Sequence, residues 1–304
     1  MPRTFYAPVG ENGNDYANAG NANFGRFPLG HIMILPDHRE YRFALNDGTA
    51  EVAGNLYQSV VGIAGTTNDA ADVARAIGAT VISATTTGST TYAVDSYAEG
   101  IAHVNAAPGE GYSYRIRRAN TAGAAHASAA SAAVLTVNLE AGESVKIALT
   151  TASNVTFTRN RYHQVLIHPG PPTGGLAGVS PGVAAADRFY WSQVKGYAAV
   201  LCDGTLLQGL PVQATITTSG AVESYKRRMQ ISATGSVLTA GTNLRAQIVD
   251  QDGTDLALFM SVSVTTATVF DITGGIANNT PIVGVCIKVN ASTEYSLIDL
   301  LIPA

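Results

Sequence analysis

The sequence predicts an all-β fold, built from β-barrel or β-sandwich units with little helix. Three observations point to it: only 13% of the 304 residues are charged, glycine occurs 31 times, and apolar residues alternate with polar ones in many short runs. Low charge with many small and β-branched residues is typical of strands packed against strands. Alternation with a period of two is the pattern of a half-buried strand. A chain of this length can bury a substantial core, as one large domain or two smaller ones.

The clearest strand pattern lies between Arg188 and Gln213, a stretch that also contains the only tryptophan, Trp191. β-prone apolar residues occur on both sides of the dipeptide Asp203-Gly204, and this dipeptide favours the positive φ angles that tight hairpin turns need. We therefore predict a central β-hairpin that turns at Asp203-Gly204.

The N-terminal segment, residues 1–38, is rich in Asn, Gly and Ala and has no periodic apolar face. Such a segment cannot fold alone, so we predict an extended N-terminal arm. Its aromatic side chains carry large apolar areas, to be buried either in pockets of another chain or in the core of this one. The candidate contacts with a partner chain are Phe5, Tyr6, Tyr16, Phe24, Phe27 and, outside the arm, Trp191.

Proline and glycine divide the remaining chain into three parts. Residues 39–168 predict a first β-domain, in which short alternating runs follow one another at spacings typical of a sandwich or barrel. Residues 169–186 are Pro/Gly-rich and predict a linker or a long crossing loop. Residues 187–304 predict a second β-unit, with an insert at about 224–280 whose length suits two to four strands.

One short helix is predicted within the first β-domain, from Thr67 to Gly78. Thr67 or Asn68 can cap its start, and Gly78 can end it. The apolar residues at helical spacing are Ala70, Val73, Ala74 and Ile77.

The compartment follows from what the sequence lacks. We find no secretion signal and no apolar run long enough to cross a bilayer, so we expect a soluble protein made in the cytoplasm, with no membrane partner. Cys202 and Cys286 lie in apolar strand-like runs, and a cytoplasmic origin favours buried reduced thiols over a disulfide. The net charge of −4 shows no basic excess, so no nucleic-acid partner is expected.

Common catalytic signatures are also missing from the sequence. No HExxH helix, paired CxxC, GxSxG elbow, complete GxGxxG or Walker loop occurs, and the six histidines lack the spacing of metal ligands. Asp250, Asp252 and Asp255 place three carboxylates in six residues, which suits Ca²⁺. Their spacing is not that of an EF-hand, and Asp252-Gly253 fits a hairpin turn. We therefore expect no metal, no other cofactor and no enzyme activity.

Six short phrases, spread over both halves of the chain, are Tyr97–Asn105, Gly109–Ile116, Tyr190–Gln193, Ala198–Thr205, Gly220–Glu223 and Val283–Ile302. Together they resemble virion structural proteins of tailed bacteriophages, especially marine ones. The residues between Glu223 and Pro281 depart from the family pattern and form extra material.

The resemblance implies a non-enzymatic function. We expect a head decoration (cement) protein, located on the virion, that binds the outer surface of the assembled capsid and stabilises it. Its partner would be the major capsid protein, and analogy with decoration proteins implies a homotrimer. The alternative is a tail or fibre component that binds a host-surface glycan, with Trp191, Tyr190 and loop carboxylates as the platform. A polysaccharide lyase or hydrolase is a third reading, which needs two carboxylates facing one cleft.

Overall fold

A computed structural model of the chain describes residues 27–87, 92–118, 133–225 and 281–303, together with four two-residue strands at 5–6, 19–20, 248–249 and 255–256. The described residues form strands, turns and bridges and contain no helix. The predicted all-β fold is therefore confirmed.

The described residues contain twenty strands. Those of the first half are β1 (Phe5–Tyr6), β2 (Ala19–Gly20), β3 (Ile32–Ile34), β4 (Glu40–Leu45), β5 (Leu56–Gln58), β6 (Asp69–Ala70), β7 (Val81–Thr85), β8 (Ile101–Ala106), β9 (Ser113–Arg115) and β10 (Val134–Asn138). Those of the second half are β11 (Asn154–Thr158), β12 (Leu166–Ile167), β13 (Leu176–Val179), β14 (Arg188–Leu201), β15 (Pro211–Ala214), β16 (Val222–Ser224), β17 (Ile248–Val249), β18 (Asp255–Leu256), β19 (Ile282–Lys288) and β20 (Tyr295–Leu301).

Twelve of these strands form one main sheet around β14. The path through it is β1-β3-β4-β14-β20-β19-β15-β16, and β2, β5, β12 and β13 join off this path. The first half of β14 pairs antiparallel with β4, where Trp191 lies opposite Phe43. The second half pairs antiparallel with β20, from Lys195 opposite Leu301 to Leu201 opposite Tyr295. The two halves of this long strand thus pair with two different strands.

The predicted central hairpin at Asp203-Gly204 is wrong. Gly204 does take a positive φ of 74°, but the strands before and after it, β14 and β15, do not pair with each other. Strands β20 and β19 lie between them in the sheet. A turn dipeptide sets only the local direction of the chain, whereas pairing depends on which apolar faces share a core.

Between β5 and β12 the chain leaves the main sheet and forms a small β-unit. This unit contains a four-stranded sheet in the order β6-β11-β8-β9 and the pair β10-β7. Its core is built around tyrosines, among them Tyr92, Tyr97 and Tyr114, and is separate from the two cores of the main sheet. Strands β4 and β5, which fall within the range 39–168, each belong to the main sheet, where β4 pairs with β14 and β5 pairs with β13. Strand β13 itself lies within the Pro/Gly-rich range 169–186.

The predicted helix Thr67–Gly78 is wrong. The segment instead runs extended beside residues 149–153, because the backbone amides of Ala71 and Arg75 donate to carbonyl oxygens there at 2.9 Å. The apolar side chains at helical spacing face solvent, and Ile77 is 68% exposed. Tertiary hydrogen bonds therefore override a weak local preference for helix.

Three local predictions are confirmed. In β4 the buried Tyr41 and Phe43 alternate with Arg42, as the pattern predicts. Strands β17 and β18 pair antiparallel across residues 250–254, where a hairpin is predicted. Finally, Cys202 and Cys286 are both buried and free of disulfide bonds.

Candidate interaction surface

The predicted arm contacts fall into two groups. Phe5 and Tyr6 form β1, whose backbone pairs parallel with β3 of the same chain, so their strand continues this chain's own sheet. Tyr16 and Phe24 lie outside the described residues.

Phe27 belongs to the aromatic core of the main sheet. Its ring is half-buried, and its centroid lies 5.7 Å from that of Phe43 and 5.3 Å from that of Trp191. Aromatic rings at such separations pack favourably beyond their buried area. Of the two fates left open for this residue, the structure therefore shows the intramolecular one.

Trp191 and Tyr190 do not form a surface platform. Trp191 is 0% exposed and Tyr190 is 2% exposed, and both lie in the same aromatic core as Phe43. A ring without an exposed face cannot stack on a sugar or contact a partner. The predicted glycan platform, and the predicted subunit or capsid contact at Trp191, are corrected on this ground.

The predicted carboxylate cluster cannot be assembled from the structure. Asp250 and Asp252 lie outside the described residues, and Asp255 is described only as part of strand β18. Within the described ranges, no group of three or more His, Cys, Asp and Glu side chains is arranged to hold a metal ion.

A different surface stands out at the C-terminal half of β14. In this half, side chains alternate between the core and solvent, and Tyr197 is a large side chain on the outward side. Tyr197 and five exposed apolar side chains that line grooves beside it define what we call the Tyr197 face, with members between 38% and 74% exposed: Val52, Val183, Tyr197, Val285, Tyr295 and Leu301.

The register of three strands explains why the four members that lie on strands, Tyr197, Val285, Tyr295 and Leu301, share one face. Tyr197 of β14 lies opposite Asp299 of β20, which in turn lies opposite Val285 of β19. Side chains opposite each other in a sheet point to the same side, and their sequence neighbours point to the other side. The neighbours Ala198 and Ile298 accordingly lie in the core.

Two grooves flank Tyr197, which forms the ridge between them. The first has a volume of about 460 Å³, and Val52, Val183 and Tyr295 are among its lining residues. The second has a volume of about 640 Å³ and is lined in part by Val285 and Leu301. Tyr197 and Arg39 line both grooves.

Most polar groups along these grooves already have partners within the chain. The Gln193 side-chain amide donates to backbone carbonyls of residues 195–197, and the Ser180 hydroxyl donates to the Gly182 carbonyl at 2.7 Å. Arg39 pairs with Asp37 at 2.6 Å, and Lys195 pairs with Glu40 at 2.9 Å. The grooves therefore offer apolar area rather than free hydrogen-bonding groups.

Asp299 is the exception on this face. Its carboxylate lies in the row between Tyr197 and Val285, and it makes no ion pair or side-chain hydrogen bond with the residues described. A carboxylate among apolar neighbours is costly to desolvate unless a cation accompanies it. Any partner that covers this face is therefore expected to bring a positive charge.

A buried carboxyl, Glu51, lies next to one edge of the face. Burial raises the pKa of Glu51 to about 8, against the weaker opposing effect of the nearby Tyr57 and Tyr190 hydroxyls. The Tyr57 hydroxyl also accepts a hydrogen bond from the backbone amide of Val52 at 2.7 Å. Glu51 therefore favours the protonated form at neutral pH and is closed off from solvent.

The Tyr197 face was not predicted from the sequence. The signal that points to it is the C-terminal run Leu297–Ile302, in which apolar residues occupy both faces of one strand. Such a strand needs cover on both sides, and the described residues supply it on one.

Comparison with known proteins adds no neighbour: no family model, curated protein or solved structure matches the chain significantly. Within the described ranges, no helix is long and apolar enough to span a membrane.

Proposed function

We propose that this chain is a non-enzymatic structural protein of a tailed-phage virion, a decoration protein on the outside of the head. It would bind the major capsid protein and act as a homo-oligomer. The observation that carries the proposal is the Tyr197 face, an exposed apolar surface on a rigid sheet whose polar groups are largely paired already. Such surfaces are typical of protein–protein contacts. The face supports the homo-oligomer, and the resemblance of the six sequence phrases supports the major capsid protein as the partner of that oligomer.

Decoration would stabilise the head by mass action. A protein that binds the assembled shell but not its separate subunits shifts the assembly equilibrium toward the shell. Linking several weak contacts in one oligomer makes the later contacts effectively intramolecular, so the combined avidity far exceeds that of a single contact. Modest contacts per copy are therefore sufficient.

The base of the arm is fixed to the body through Glu99. The backbone amide of Leu29 donates to the Glu99 carboxylate at 2.8 Å, and Arg115 and Arg118 each pair with the same carboxylate at 3.2 Å. Arg118 also donates to the Phe27 carbonyl at 2.8 Å. The body therefore includes residues 27–38 of the predicted arm, and a truncation that tests the arm has to stop at residue 26.

The proposal is tested by a cryo-EM reconstruction of the purified virion. We expect density for this chain as regularly spaced protrusions at the local symmetry axes of the capsid. Density confined to the tail would overturn the head assignment and favour the tail or fibre alternative.

Deletion of residues 1–26 tests whether the arm contributes to head binding. The truncated chain loses the two-residue strands β1 and β2 but is expected to stay folded by circular dichroism, because Phe27 and the Glu99 contacts remain. It is expected to lose binding to heads that lack the protein. Undiminished binding by the folded truncated chain would refute a role for the arm.

A further inference from the structure

We propose that the Tyr197 face binds a second copy of this chain, related to the first by a two-fold rotation. This inference deepens the proposed function, since it assigns a contact within the proposed oligomer. Its test, however, uses the isolated chain and needs no phage head.

The shape of the face permits a self-complementary contact. Tyr197 is 57% exposed and stands as a ridge between two grooves. In an isologous contact the same patch faces itself, so that each ridge meets a groove of the other copy. A flat or purely convex face would not offer this arrangement.

The charges of the face permit the same pairing. Asp299 makes no ion pair with the described residues, whereas Arg39 and Lys195 line the same groove and are paired only with the partly exposed carboxylates of Asp37 and Glu40. In a two-fold pair, we expect these cations to lie near the Asp299 carboxylate of the other copy as well. Opposite charges that meet across an interface favour that partner over others and fix the register.

The area is sufficient for a specific pair. The six apolar side chains together expose on the order of 500 Å², which is within the range of functional patches on protein surfaces. With the polar rim of Arg39, Lys195 and Asp299, the area approaches the roughly 800 Å² per partner of a standard protein–protein interface. The two-fold contact differs from the three-fold association that the resemblance implies, and the mass of the oligomer separates the two.

The first experiment measures the molar mass of the purified full chain by sedimentation velocity and light scattering. We expect twice the chain mass of 31.4 kDa. Two charge insertions on the face, Tyr197→Arg and Leu301→Arg, are each expected to give a single chain of 31.4 kDa. Circular dichroism and thermal unfolding show whether each variant is folded.

The matched control is Ile77→Arg. Ile77 and Leu301 are both 68% exposed, but Ile77 lies on the small β-unit, away from the face. The control adds the same charge at the same exposure and is expected to leave the pair intact. If it dissociates the pair as well, the effect is one of net charge and the proposal fails.

Asp299→Lys tests the charge argument separately. Because the variant places a cation opposite the partner's cations, we expect the dissociation constant to rise about tenfold or more. An unchanged or tighter association would contradict the arrangement of charges.

The proposal is overturned by a single-chain mass at all concentrations, by a mass of three chains, or by pairs that survive both arginine insertions. These outcomes are distinct from failure of the proposed function. A monomeric chain found on the head would refute only the pairing, whereas a paired chain found only in the tail would refute only the head location.

Discussion

The two halves of β14 differ in what covers them. From Phe189 to Val194 every residue is buried, because other parts of the chain pack on both faces of the strand. From Lys195 onward buried and exposed residues alternate, and Tyr197 points outward. A single strand thus passes from the interior of the molecule to its surface.

This difference separates aromatic residues with a structural role from those available to a partner. Trp191 and Tyr190, which sequence composition makes conspicuous, are held in the core. Among the aromatic residues of β14, the exposed ring belongs to Tyr197, which resembles any strand residue in the sequence. Residue type therefore indicates how much area a side chain can bury, and only the fold indicates whether that area is still free.

The largest effect is expected from Trp191→Ala in the buried half. Removal of a fully buried indole leaves a cavity, and we expect the free energy of unfolding to fall by about 3–5 kcal/mol. Urea denaturation followed by circular dichroism measures this change. A loss below about 1 kcal/mol would show that the aromatic core is not the stabilising centre described.

Glu51→Gln tests how the buried carboxyl near Tyr57 and Tyr190 makes the stability of the protein depend on pH. The folded-state pKa of Glu51 is raised from 4.5 to about 8, so its stabilising contribution is complete below pH 4.5 and is lost as the pH rises through 8. That loss amounts to up to roughly 5 kcal/mol. The neutral glutamine removes this dependence, so the variant is expected to be the more stable protein at pH 9.

Urea midpoints of wild type and Glu51→Gln at pH 6 and pH 9 provide the check. Parallel shifts of both proteins between the two pH values would mean that another group causes the dependence.

Gly54→Ala is expected to have an intermediate effect on the free energy of unfolding, because the added methyl group would collide with the Tyr295 ring. Gly54 has a φ of +78°, and a Cβ there would lie 2.5 Å from the Tyr295 ring. We expect a loss of about 1–3 kcal/mol, from a strained backbone and a displaced ring. Gly204→Ala is the control, because its φ is +74° with nothing within 4 Å. Equal losses in both variants would mean that the ring accommodates the methyl group.

The smallest change in stability is expected from Tyr197→Ala. In the single chain this side chain contacts mainly solvent, so at protein concentrations too low for pairing its truncation changes the free energy of unfolding by less than about 0.5 kcal/mol. Association of the chain should weaken nonetheless, which thermal unfolding and sedimentation together reveal. A stability loss as large as that of Trp191→Ala would remove the distinction between the two halves.

The alternation of apolar and polar residues was sufficient to predict those strands in which one face is buried. Tyr41 and Phe43 in β4 alternate as predicted, because a period of two places them on the core side. The hairpin at Asp203-Gly204 failed because β19 and β20, which come much later in the chain, insert beside β14. Such non-local pairing cannot be predicted from the residues of the turn itself.

The candidate site was harder to predict for the same reason. Leu301 and Val285 have the composition of core residues, and their exposure follows only from the absence of a described layer above them. The predicted helix at 67–78, which does not form, shows the reverse case, in which side chains at helical spacing have no core to face. Periodicity reports which residues share a side, but not what lies opposite that side.

Hydroxyl-radical footprinting of the full chain, at low and high protein concentration, tests most directly whether the Tyr197 face is an interaction surface. Tyr112, on the small β-unit, is an internal control because its side chain is also partly exposed. We expect oxidation of Tyr197 and Tyr295 to fall as the concentration rises, while oxidation of Tyr112 stays constant. If the oxidation of Tyr197 and Tyr295 is as independent of concentration as that of Tyr112, the Tyr197 face is not an interaction surface and the account is contradicted.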